Sequence, residues 1–181
     1  MALTTVKTSA LSGNINLTSQ VTGTLPTANG GTGATSFSPG KIKQIVHDVK
    51  SSSSMTTSTS FVTTGMFLAI TPTSASNKIS VQIWSPSYYL SGGGNLQASV
   101  YRGTSGEGSG SDIITSVQGL NSLTGNFYIN GIISFIDSPN STDAQTYTLM
   151  QKSADGSSTG YFESGMGGVA KMQISLTEFS T

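Results

Sequence analysis

The chain has no cysteine, a single histidine, and only 9% charged residues among its 181 positions. Without thiols there is neither a disulfide framework nor a thiolate metal site. Ordinary soluble domains carry about a quarter of charged residues, so something other than charge keeps this chain in solution. Its eight basic and eight acidic residues cancel to a formal net charge of zero, and no Lys/Arg cluster appears. The counterion-releasing footprint of a nucleic-acid binder is missing, and nucleic acid is not an expected partner. No apolar run approaches the roughly 20 residues of a membrane-spanning helix, so no membrane insertion is expected. The first residues, Met1-Ala2-Leu3-Thr4-Thr5-Val6-Lys7, lack the basic segment and apolar run of a secretory signal. Together these absences predict synthesis in a cytoplasm and delivery to any outside location by assembly.

What replaces charge is hydroxyl. Ser and Thr supply 57 positions and Gly another 22, which gives a neutral, hydroxyl-rich surface. The hydrophobic residues, at 35% and with clear periodicity, separate the chain from disordered ones, which lack β-branched and aromatic residues. The length suits one sandwich-sized domain with a short extension.

Residues 1–36 differ in texture from the rest. Leu11, Ile15, Leu17, Val21 and Leu25 stand singly among Ser, Thr, Asn and Gly, and the pattern ends at Pro26 and Asn29-Gly30-Gly31-Thr32-Gly33. Their spacing fits no heptad, whereas Ile15 and Leu17 alternate as in an extended strand. One such ribbon cannot bury its apolar face alone, so residues 1–36 read as an extended arm lying against copies of itself or another chain.

From Lys41 onward a period of two dominates. Ile79-Ser80-Val81-Gln82-Ile83, Leu96-Gln97-Ala98-Ser99-Val100, Tyr147-Thr148-Leu149 and Met172-Gln173-Ile174-Ser175-Leu176 each alternate apolar and polar residues, as half-buried strands do. Less regular apolar stretches at 41–49, 61–70, 112–117, 127–136 and 160–163 fit strands covered on both faces or bulged. Turn clusters separate them, at 71–74, 91–95, 103–111, 137–140 and 154–156. No window carries an apolar stripe at helical spacing. Eight or nine short antiparallel strands without helices predict an all-β, jelly-roll-like sandwich over residues 37–181.

Few residues invite chemistry. His47 adjoins Asp48 in a serine-rich chain, but neighbours on a strand point to opposite faces, and a triad needs geometry rather than presence. The acidic residues Asp48, Glu107, Asp112, Asp137, Asp143, Asp155, Glu163 and Glu178 are scattered over different elements, so no glycosidase-type carboxylate pair is apparent. Gly30 to Gly33 follow no buried strand and open no helix, so the phosphate-cradling context is absent. Asp137, Asn140 and Asp143 share one loop and could offer oxygens to a calcium ion, yet they are also ordinary turn formers. We expect no enzyme activity, no catalytic residues, no metal and no cofactor. Trp84 is expected in the core or a subunit interface. Tyr88 and Tyr89, placed where a strand enters a loop, are candidate receptor contacts together with the loop 103–111, because exposed aromatics among hydroxyls suit glycan or protein recognition.

The run Thr22-Gly23-Thr24-Leu25-Pro26-Thr27-Ala28-Asn29-Gly30-Gly31-Thr32-Gly33 resembles the GTLP-ANGGTG arm of small tail-fibre-like virion appendage proteins of marine and cyanobacterial tailed phages. Lys41 to Val46, Ser134 to Pro139, Thr146 to Thr148 and Met172 to Glu178 are similar to parts of the small domain that follows such arms. The resemblance implies a non-enzymatic virion structural protein, assembled in the bacterial host cytoplasm and displayed on the virion surface as a homotrimer. The arm would join other virion proteins of tail or capsid, and the outward domain would meet a host-surface glycan or protein. It leaves open a tail fibre, a head fibre and a capsid decoration or cement protein; a glycan-depolymerising tailspike is the enzymatic alternative.

Overall fold

The structure is a computed structural model that describes residues 41–51, 54–91, 95–114, 117–121, 127–154, 156, 159–163 and 171–180. The predicted arm, with Leu11, Ile15, Leu17, Val21 and Leu25, lies outside the described residues. Eleven strands and no helix occur among the described residues: β1 Ile42–Lys50, β2 Ser54–Thr56, β3 Val62–Ile70, β4 Lys78–Ser91, β5 Asn95–Gly103, β6 Ser111–Asp112, β7 Val117–Asn121, β8 Phe127–Asp137, β9 Gln145–Ser153, β10 Thr159–Glu163 and β11 Met172–Phe179. All pair antiparallel, in two sheets.

The pairing is nested. β1 pairs with β11, β3 with β9, β4 with β8, and β5 with β7, so the first half of the domain runs back along the second as one long ribbon. Folding that ribbon across itself gives a first sheet with β1-β11-β4-β8 side by side and a second with β3-β9-β5-β7. β10 and β2 extend the first sheet beyond the end of β11 along β4, and β6 joins the edge of β5.

Alternation explains how the sheets stick together. Ile79, Val81 and Ile83 of β4, Met172, Ile174 and Leu176 of β11, and Ile133 of β8 point inward from the first sheet. They meet Met66 and Ile70 of β3, Leu96, Ala98 and Val100 of β5, and Tyr147 and Leu149 of β9 in one continuous core. Each large aliphatic side chain fully buried there contributes roughly 1.5–3 kcal/mol relative to exposure. The alternating segments therefore behave as the sequence predicts.

Two places depart from it. β9 reads as half-buried, yet Gln145 through Gln151 are buried on both faces. The cause is the loop 104–110, which folds back over the outer face of the second sheet: Gly108 N–H donates to Thr148 Oγ1 at 2.9 Å, and Thr63 Oγ1 donates to Glu107. A hydroxyl tolerates burial when it is hydrogen-bonded, so threonine at 148 gives no sign of the cover above it. That loop turns tightly enough that a Cβ at Gly110, whose φ is +84°, would lie 1.8 Å from the Arg102 carbonyl oxygen. The other departure is β1, expected to be covered or bulged. It is irregular between Ile42 and Gln44, but its surplus apolar residues, Ile45 and Val49, face outward and are exposed.

Candidate functional site

Two buried polar clusters fix the frame. In β11, parity places Glu178 on the core-facing side after Met172, Ile174 and Leu176, and it is fully buried. Its Oε1 accepts from Thr73 N at 2.7 Å, Thr73 Oγ1 at 2.8 Å and Asn77 Nδ2 at 2.6 Å, and its Oε2 accepts from Gln44 Nε2 at 2.6 Å. Burial alone would push the carboxyl up; the donors from Asn77, Gln44 and Thr73 outweigh it and hold the group down at about 2. One carboxylate thus ties β1 and the β3–β4 turn to β11.

At the other cluster, Asp137 at the end of β8 accepts from Arg102 of β5 and from the phenol of Tyr147 of β9, the latter at 2.7 Å. It joins the first sheet to the second. The Tyr147 hydroxyl is driven well above the ordinary phenol range, by burial first and by the hydrogen bond and charge of Asp137 next, with Arg102 opposing. Because Asp137 is engaged in this way, and Asn140 sits at φ 52° in the left-handed turn conformation that Asn tolerates, the 137–143 loop is built as a turn. Among the described residues no group of three His, Asp or Glu is placed to hold a metal ion.

His47 and Asp48 lie on opposite sides of β1. His47 is exposed and stands opposite Ser175, while the half-buried Asp48 accepts from Val49 N at 2.8 Å and lies 3.8 Å from Lys50 Nζ. No triad is assembled from them.

The expected position of Tyr88 and Tyr89 needs correction. These residues do not enter a loop, because β4 continues to Ser91 through an irregularity between Ser85 and Tyr88 that contains Pro86. Pro lacks the ladder N–H, and a bulge is where a strand accommodates it. Tyr88 stands opposite Ile129 and Phe162, and Tyr89 opposite Tyr128 and Tyr161. The loop 103–111, the other recognition candidate, is held down by Thr63 and Thr148 as above and presents only one side outward.

The feature that sequence reasoning missed is the outer face of the first sheet. Trp84 belongs to it rather than to the core, being half-buried. The register aligns three rows across β1, β11, β4 and β8: Val49–Gln173–Trp84–Ile132, His47–Ser175–Gln82–Ser134, and Ile45–Thr177–Ser80–Ile136. The available signal is the excess of apolar residues over strict alternation in β1 and β8, which fits cover on both faces or a bulge. No protein-family model and no curated protein matches the chain.

Proposed function

We propose that this chain is a non-enzymatic structural protein on the surface of a tailed-phage particle, a homotrimeric appendage of the tail-fibre type. Residues 1–36 attach it to the particle, and residues 37–181 form a jelly roll that faces outward and can carry host-surface recognition. The observation that carries this reading is the run Gly23-Thr24-Leu25-Pro26 to Gly33, with its likeness to the arms of such appendages. The nested pairing supports the jelly roll, since β1·β11, β3·β9, β4·β8 and β5·β7 is the order that a folded two-stranded ribbon of eight main strands produces. In favour of a structural rather than a chemical role, His47 and Asp48 lie apart, and Asp48, Glu107, Asp137 and Glu178 are each engaged by a different partner.

Deleting residues 1–36 tests the division of labour. The remaining chain is expected to keep β-type circular dichroism and a cooperative melt, because every pairing above lies after Lys41, and to be lost from particles. Truncated protein that still joins particles at full occupancy would show that the arm is not the anchor.

A further inference from the structure

We propose that the outer face of the first sheet, β1-β11-β4-β8, is the surface on which copies of this chain pack against one another; this rests on the homo-oligomer in the reading above. The two sheets are finished differently. The second carries its own cover, the loop 104–110 together with Phe61, which packs against Tyr101 and under Lys152, and beneath it Thr146, Thr148 and Met150 are buried. Among the described residues the first has no such cover over its apolar residues. Ile45 is 60% exposed, Ile132 67%, Ile136 62% and Val49 37%, with Ile42 beside them at 61%.

The size of the face fits a subunit contact. Four strands about 4.8 Å apart and roughly nine residues long at about 3.3 Å each give a surface near 20 by 30 Å, or about 600 Å² before side-chain relief. A standard interface buries about 800 Å² per partner. Chemistry then selects the occupant. None of the residues in the three rows is Asp, Glu, Lys or Arg, so a partner recognised through charge finds nothing to pair with. A second copy presents the same uncharged rows, and Lys78, in the next row Ile42–Phe179–Lys78, stands at the end of the face. Charge depletion around apolar residues and a Trp is also the composition of interface centres. The apolar residues form two stripes, Ile45 and Val49 on β1 and Ile132 and Ile136 on β8, with Gln, Ser and Thr of β11 and β4 between them. Packing the β1 stripe of one copy on the β8 stripe of the next is a head-to-tail contact, the kind that closes into a ring.

The test uses the full chain at micromolar concentration, with mass measured by sedimentation velocity and light scattering. Ile45→Asp and Ile132→Asp are each expected to weaken association by on the order of 30-fold or more while circular dichroism and melting show an intact monomer. As a second measurement, Ser134→Cys, introduced into a chain that has no cysteine, is expected to react with maleimide about tenfold more slowly than Ser105→Cys on the exposed loop, since interface centres exclude solvent. Wild-type oligomers that persist in both Asp variants, with Ser134→Cys labelled as fast as Ser105→Cys, would overturn this face while leaving the homo-oligomer standing. A monomeric wild type would overturn both.

Discussion

Glu178→Gln is expected to lower the stability of the domain by about 3–5 kcal/mol, a fall of roughly 10–15 °C in melting temperature. The carboxylate accepts from four donors on three residues, and a Gln amide must turn an NH₂ toward some of them. The same group sets the acid limit. Its folded value near 2 lies below the unfolded 4.5, so its contribution is fully present above pH 4.5 and is lost as pH falls from there toward 2. With allowance for solvent screening at the exposed Thr73 turn, that contribution is roughly 2–3 kcal/mol. Chemical denaturation between pH 6 and 2 is therefore expected to show wild type losing stability over this window more steeply than the Gln variant. Parallel curves for the two proteins would remove Glu178 from the account.

Asp137→Asn is the second large effect, expected to cost about 2–4 kcal/mol. Arg102 and the Tyr147 hydroxyl both donate to the carboxylate, and the neutral Asn leaves the guanidinium without a counter-charge in a largely buried setting, its side chain 23% exposed. Replacing both charged partners by apolar residues, Arg102→Met with Asp137→Leu, is expected to recover much of the loss, because no unpaired charge remains. Urea unfolding of the single and double variants measures the coupling. Additive losses would mean that the pair does not hold the sheets together. Alkali probes the same cluster: Tyr147 is held protonated in the fold, so stability is full below about pH 10, the ordinary phenol value, and declines above it.

The strands that were legible in the sequence are those with core on one side and solvent on the other. Ile79 to Ile83 and Met172 to Leu176 announce themselves because only one face of each needs to be apolar. β9 conceals its second cover, since Thr148 satisfies its hydroxyl under a loop whose path no local pattern encodes. Glu178 was legible by parity and obscured by residue type: the alternation of β11 points it inward, but only the distant Thr73, Asn77 and Gln44 make that burial tolerable. The short β2 and β6 have too few residues to show a period. In β1 and β8 the surplus apolar residues were visible, but whether they meet a second layer of the same chain or a bare surface depends on packing across the whole domain. The position of Tyr88 and Tyr89 was hidden for a related reason, because Ser85 to Tyr88 resembles the end of a strand until pairing with β8 and β10 carries it onward.

The central claim, a virion surface appendage, is tested most directly by labelling intact purified particles with an antibody against residues 37–181. Label is expected on every particle at fixed positions, on the tail if the protein is a fibre and on the head if it is a capsid decoration. Abundant protein in infected cells with none on purified particles would contradict the account.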